Sequence, residues 1–273
     1  MTGVSDDELY RQYETVNLYR RDAGATLELN RPKSLNSWSN QFSLDLLEAI
    51  TEVTGDPGIR AVVVTGAGRA FSSGADLKEA AERAEGGTMD VYSRLTERYH
   101  PIIRGLRLMP KPVVAAVNGP AAGIGLSLAL ACDLVVAAES AFFQLAFVNI
   151  GLVPDGGSSL FVPARVGFTR AAELAMLGER LDARTALAWG LINRVWPDEE
   201  FPAQTRALLD RLATGATQSY AGTKRQLNRW LYERMDDQLE FEAGIQREMA
   251  ASGDFAEGIA AFAEKRPPRF SGA

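Results

Sequence analysis

Lys111-Pro112-Val113-Val114-Ala115-Ala116-Val117-Asn118-Gly119-Pro120-Ala121-Ala122-Gly123-Ile124-Gly125 is the stretch whose reading decides the fold. Residues 111–118 form an apolar, β-branched run without alternation, which predicts a strand buried on both faces. Gly119 and Pro120 end it. Residues 119–125 then read as a loop, residues 124–131 as a short apolar helix, and residues 133–138 as another buried strand. Strand, short helix and strand at this spacing predict a parallel βαβ unit. The charge-free run from Val113 to Cys132 is long enough to imitate a membrane span. Its glycines and Pro120 would leave backbone groups unsatisfied in lipid, so no membrane role is expected.

Upstream, residues 26–29 and 61–65 read as two more strands, the second another both-faces-buried run. Between them Ser39 or Asn40 caps an amphipathic helix that reaches about Val53, and Asp56-Pro57-Gly58 marks a turn. Residues 76–108 read as polar and helical, interrupted at Gly86-Gly87. Downstream the pattern predicts a helix over 169–190, a strand over 191–196, and helices over 205–213, 220–246 and 254–264. The expected organisation is an α/β part over residues 1–200 and a helical part over 201–273.

The chain has 273 residues, 46% hydrophobic and 23% charged, as in a globular protein. Its 29 Lys and Arg against 35 Asp and Glu give a net charge of −6, with no basic stripe to track phosphates. No nucleic acid partner is expected. Cys132 is the single cysteine, so an intrachain disulfide is excluded and a reducing, cytoplasmic location is expected. Residues 1–20 lack the apolar core of a secretory signal.

Two glycine loops follow buried strands: Thr65-Gly66-Ala67-Gly68-Arg69-Ala70-Phe71-Ser72-Ser73-Gly74-Ala75-Asp76-Leu77-Lys78, and residues 118–125. Loops of this kind can aim free N–H groups at one point and stabilise developing negative charge, although each alone also reads as a plain turn. A dinucleotide fingerprint beginning at Gly66 fails, because Phe71 stands where its third glycine belongs. Gly125-Leu126-Ser127-Leu128-Ala129 approaches a serine-hydrolase elbow. That chemistry needs a histidine after the serine, and the one histidine, His100, precedes it. His100 reads as a surface or capping residue. One histidine and one cysteine also leave no zinc site of the usual kind, and no metal is expected.

Taken together, Arg69 to Lys78, Ala115 to Gly125, Cys132-Asp133, Gly151-Leu152-Val153-Pro154-Asp155-Gly156-Gly157, Trp189-Gly190-Leu191 and Ala261 to Arg266 resemble the enoyl-CoA hydratase/isomerase (crotonase) superfamily over residues 15–270. The resemblance implies a crotonase-type spiral of βαβ units with a C-terminal helical trimerisation region, assembled as a homotrimer or a dimer of trimers. It implies an acyl-CoA thioester as substrate, with CoA arriving as part of that substrate and no separate cofactor. It places an oxyanion hole at the backbone N–H groups of Ala75 and Ile124. CoA is expected along Lys33-Ser34-Leu35 and the edge formed by Ser73, Ala75, Asp76 and Leu77, with Gly123 and Phe147 also at the substrate.

The two glutamates that family hydratases use fall on Ser127 and Phe147 here, and neither residue can do acid–base work of that kind. Asp155 stands in a Pro-acid-Gly arrangement resembling Δ3-Δ2 enoyl-CoA isomerases and 1,2-epoxyphenylacetyl-CoA isomerase. The resemblance thus implies a single-carboxylate isomerase of fatty-acid or aromatic-acid degradation, with Asp155 moving the proton. Apolar Phe147 and Val153 beside it are expected to raise its pKa. Asp155 also reads as a turn residue before Gly156-Gly157, and Asp133 and Glu139 as capping acids. A hydratase with other acid–base residues and a catalytically silent acyl-CoA binder remain open.

Overall fold

The structure, a computed structural model, describes residues 7–78 and 90–273. Strands β1 (Glu8–Gln12), β2 (Val16–Arg21) and β3 (Gly24–Leu29) open the chain as an antiparallel meander. From β3 onward, β4 (Ala61–Gly66), β5 (Val113–Val117), β7 (Leu134–Ala138) and β10 (Arg194–Trp196) run parallel, giving the order β1-β2-β3-β4-β5-β7-β10. A second sheet consists of β6 (Ala121–Ala122), β8 (Phe142–Gln144) and β9 (Leu181–Asp182).

The β-branched runs are buried on both faces, as their lack of alternation requires. Val62 and Val64 of β4 join the larger core with Val113, Ala115 and Val117. Ala61 and Val63 point the other way, with Val114, Ala116 and Val136, onto Phe201, Leu208 and Leu209 of the helix Phe201–Ala213. Each fully buried valine contributes about 1.5–3 kcal/mol relative to exposure. A one-residue slip would exchange the two faces of every strand, so the register is strongly specified.

Helix α1 (Asn40–Gly55) starts where Ser39 accepts the Phe42 N–H at 3.1 Å. Helix α2 (Val91–Arg94) runs through a π-helical turn (Leu95–Tyr99) into α3 (His100–Leu108). Helix α4 (Ile124–Ala131) is buried at every residue, which explains its lack of a polar face. The remaining helices are α5 (Ser158–Leu177), α6 (Ala183–Trp189), α7 (Phe201–Ala213), α8 (Thr217–Leu231), α9 (Met235–Ala250) and α10 (Gly253–Glu264). None of the described helices is long and apolar enough to cross a membrane.

Four expectations need correction. The helix expected over 169–190 starts as expected, just past a kink at Gly167 (φ 76°) that divides α5, but it stops at Gly178, whose φ of 61° ends α5 before β9. The helix expected over 220–246 breaks at Tyr232, whose ring packs edge-on against Phe161 at 5.2 Å. No glycine or proline marks that break. β1 and β2 were not anticipated: β1 is exposed throughout and lacks an apolar face, and β2 buries only its first half, with Val16 and Leu18 the apolar residues in it. His100 is buried at 6% exposure rather than on the surface, on the inward side of α3 with Ile103 and Leu106. Gly86-Gly87 lies outside the described residues.

Candidate active site

The two glycine loops are stitched to each other by backbone hydrogen bonds. Ser72 N–H donates to the Pro120 carbonyl at 3.0 Å, and Ala122 N–H donates to the Ser72 carbonyl at 2.9 Å. On the other side, Trp38 N–H donates to Gly74 O at 2.8 Å and Asp76 N–H to Trp38 O at 3.1 Å. These bonds hold Ala75 extended between two paired neighbours. Gly74 (φ 94°) and Gly123 (φ 53°) sit back to back in conformations that side chains resist. A Cβ on Gly74 would lie 2.9 Å from the Ala122 carbonyl oxygen.

Ala75 N–H donates to no described residue, and Ile124 N–H opens α4, where no intrahelical acceptor exists. Both residues line one cavity of about 710 Å³. Two backbone donors without a described acceptor on one cavity, one of them at the positive end of α4, are the kind of group that can stabilise an oxygen gaining negative charge.

Asp155 lines the same cavity. Its backbone is pinned: the Ser127 and Ser158 hydroxyls each donate to its carbonyl oxygen at 2.8 Å. Glu242 of α9 holds the turn that follows, accepting from Gly157 N–H at 2.7 Å, Ser159 N–H at 3.1 Å and the Ser159 hydroxyl. On the side chain, Gln246 Nε2 donates to Oδ2 at 2.7 Å, while Oδ1 has no partner among the described residues. Burial pushes the carboxyl pKa up to about 8, against the opposing Gln246 hydrogen bond and with some help from the charge of Glu242. Burial likewise raises Glu242 to about 7, opposed by its bonds to Ser159 and Gly157.

A raised carboxyl pKa has a consequence for stability. The folded value, about 8, exceeds the ordinary 3.8, so the neutral acid stabilises the fold at low pH. That stability is lost as pH rises from the ordinary value through about 8. Asn at this position can still accept from Gln246 but never ionises. Asp155→Asn should therefore raise the Tm by several degrees near pH ~9 and have little effect near pH ~4, as scanning calorimetry at the two pH values will show.

Leu35, Ser73, Leu77, Gly123 and Phe147 line the cavity together with Ala75, Ile124 and Asp155. Lys33 is exposed, and Lys33, Ser34 and Asp76 stand outside the lining. Asp76 pairs with Arg31 at 2.9 Å and accepts from the Ser37 hydroxyl at 3.0 Å, which ties the 31–37 segment to the first loop. Ser73 N–H donates to Leu35 O at 2.9 Å and completes that attachment.

Ser127 is fully buried, its hydroxyl engaged by backbone carbonyls, so the hydrolase elbow has no free nucleophile. Burial pushes His100 down to about 4 and Cys132 up to about 12, which leaves a neutral imidazole and an inert thiol. Asp133 accepts from Val113 N–H at 2.9 Å and pairs with Arg107 and with Lys224, the latter at 2.8 Å. Glu139 pairs with Arg184.

Several lining residues escaped the sequence reading. Gln246 is one. Arg69, Arg94 and Arg180 bring positive charge to the cavity, and Phe255 and Phe262 of α10 add apolar surface. Arg180 also stacks on Phe142, 4.5 Å from the ring centre. No signal along the chain joins these residues, which meet only through the fold.

The model of the enoyl-CoA hydratase/isomerase family matches residues 21–273. A probable enoyl-CoA hydratase of Rhodobacter capsulatus is 40% identical over 260 residues, covering 95% of this chain and 99% of the relative. The 1,2-epoxyphenylacetyl-CoA isomerase of Escherichia coli is 40% identical over 247 residues, covering 90% and 94%. A crystal structure of an enoyl-CoA hydratase from Mycobacterium avium subsp. paratuberculosis superposes with a TM-score of 0.86 at 40% identity, covering 95% of this chain and all of that one. The chain, with its crotonase fold, belongs to the enoyl-CoA hydratase/isomerase family.

Proposed function

We propose that the protein is an enoyl-CoA isomerase that shifts a double bond with Asp155 as its single base. One observation carries this reading: among the described residues, Asp155 is the one carboxylate lining the cavity that Ala75 and Ile124 also line. In the proposed reaction the Asp155 carboxylate takes a proton from carbon 2 of a 3-enoyl-CoA. The electron pair moves onto the thioester oxygen, which accepts hydrogen bonds from Ala75 and Ile124 N–H. The same carboxyl group then returns a proton to carbon 4, the enolate collapses, and the double bond lies between carbons 2 and 3. No water is consumed.

Hydration needs a group that positions water, and the residues at the family's two glutamate positions offer none. Phe147 stands on the cavity wall and Ser127 is sealed behind it. The three arginines Arg69, Arg94 and Arg180 suit a polyanionic ligand such as the phosphates of CoA. A homotrimer or dimer of trimers in the cytoplasm forms part of the proposal. Phe168 and Trp230, 82% and 85% exposed, support it as apolar surface that a second copy would cover.

Both directions of the isomerisation need Asp155 ionised. kcat/KM for a 3-enoyl-CoA should therefore rise with pH through a single ionisation near 8 and level off above it. Steady-state rates between about pH 6 and 10 test this, with 3-hydroxyacyl-CoA assayed in the same mixtures. A flat profile, or hydrated product as the main product, would overturn the reading.

A further inference from the structure

Gln246 lies on α9 and is 1% exposed, with Asp155 91 positions away in the chain. Its amide makes two hydrogen bonds. Nε2 donates to Asp155 Oδ2 at 2.7 Å, and Oε1 accepts from Val153 N–H at 3.2 Å. A backbone N–H can only donate, so it must meet the amide oxygen, and this settles which end of the amide faces the acid. The NH2 end faces Oδ2 and cannot accept. A proton on Oδ2 would make it a poorer acceptor for that NH2 group than a carbonyl or carboxylate oxygen, so the hydrogen bond favours protonation at Oδ1. Oδ1 is itself buried and has no partner among the described residues, and Asp155 is one of the residues lining the cavity.

We propose that Gln246 is a positioning residue: it reserves Oδ2 as a hydrogen-bond acceptor and leaves Oδ1 as the single atom that takes up and returns the substrate proton. This rests on Asp155 being the base. One turn earlier on the same helix, Glu242 grips the backbone of Gly157 and Ser159. α9 thus fixes the acid turn and the acid's side chain together. The groups facing Asp155 are Glu242 from α9, Ser127 from α4 and Ser158 from α5, and both serine hydroxyls donate to its backbone carbonyl rather than to its carboxyl. Gln246 therefore has no described rival for Oδ2.

Gln246→Met keeps length and burial but removes the donor. The carboxylate loses a hydrogen bond that favours its charged form, so the acid limb of kcat/KM moves up by about one pH unit. kcat falls by about a hundredfold, because the base is no longer held in one orientation, while KM stays close to that of the parent. Gln246→Glu separates positioning from packing. Its second oxygen can donate to Oδ2 only while the acid pair retains one proton, so the profile becomes bell-shaped. A purely structural glutamine would instead lower activity in parallel at all pH values.

The experiment combines these profiles with infrared titration of the Asp155 carboxyl, isolated as the difference between parent and Asp155→Asn. The expected result is an infrared titration and a kinetic limb that move up together in Gln246→Met, and a bell for Gln246→Glu. An infrared titration unmoved in Gln246→Met overturns the proposal. If these variants do not fold, the parent decides: a protonated carboxyl whose C=O stretch lacks hydrogen bonding overturns it, and a hydrogen-bonded one supports it. If the infrared titration moves but the kinetic limb does not, Asp155 is not the base and the positioning role falls with it.

Discussion

Asp155→Asn is expected to cut kcat/KM for a 3-enoyl-CoA by about a thousandfold or more, while acyl-CoA affinity measured by calorimetry changes little. General acid–base catalysis is worth about 10²–10⁴ in rate, and here one carboxyl serves as both base and acid. No neighbour can substitute. Glu242 is engaged by Gly157, Ser159 and the Ser159 hydroxyl, and stands outside the cavity lining. Ser127 is turned toward the Asp155 carbonyl. The substitution should leave the backbone of Ala75 and Ile124 undisturbed, since neither loop touches the carboxyl group through a described hydrogen bond. Retained turnover in Asp155→Asn would remove the residue from the mechanism.

Gly74→Ala is expected to lower kcat by about 10²–10³, the usual loss when one oxyanion donor is displaced. The added Cβ would meet the Ala122 carbonyl oxygen at 2.9 Å and must adopt a φ near 94°. Relief requires the two loops to part, and Ala75 is the next residue. The enzyme should fold, because the strain is local, but should lose its preference for enolate-like anions over neutral thioesters. Gly222→Ala supplies a control: that glycine lies in α8 with open space around its Cβ position, so activity should be unchanged. Equal inhibition of parent and Gly74→Ala by an anionic enolate analogue would contradict the oxyanion assignment.

The strand–loop–helix–strand unit around Gly119 was legible because burial on both faces leaves an uninterrupted apolar signature, and glycines mark its turns. The proposed oxyanion donors, Ala75 and Ile124, could be named for a related reason, and the fold places both on one cavity. They are backbone groups whose positions depend on glycine spacing, not on side-chain identity. Asp155 was visible as a lone acid beside Gly156-Gly157, but its raised pKa depends on how fully the fold encloses it.

Gln246 was not legible. Read along the chain it is one polar position in a long helical pattern, and its partner is 91 residues away. The division of that pattern at Tyr232 was hidden because no glycine or proline stands there to announce it. His100 follows a polar run, Thr96-Glu97-Arg98, that suggests a surface; the turn of the helix carries it inward with Ile103 and Leu106. The arginines at the cavity come from segments far apart in the chain, which makes no basic cluster in the sequence.

The most direct measurement of the central claim is incubation with a 3-enoyl-CoA and, separately, a 2-enoyl-CoA in heavy water, followed by NMR and mass spectrometry. The single-base account predicts interconversion of the two thioesters, with deuterium appearing only at carbons 2 and 4 and no 3-hydroxyacyl-CoA formed. Hydration of the 2-enoyl thioester as the dominant reaction would contradict it, and so would bound thioester that neither exchanges nor isomerises.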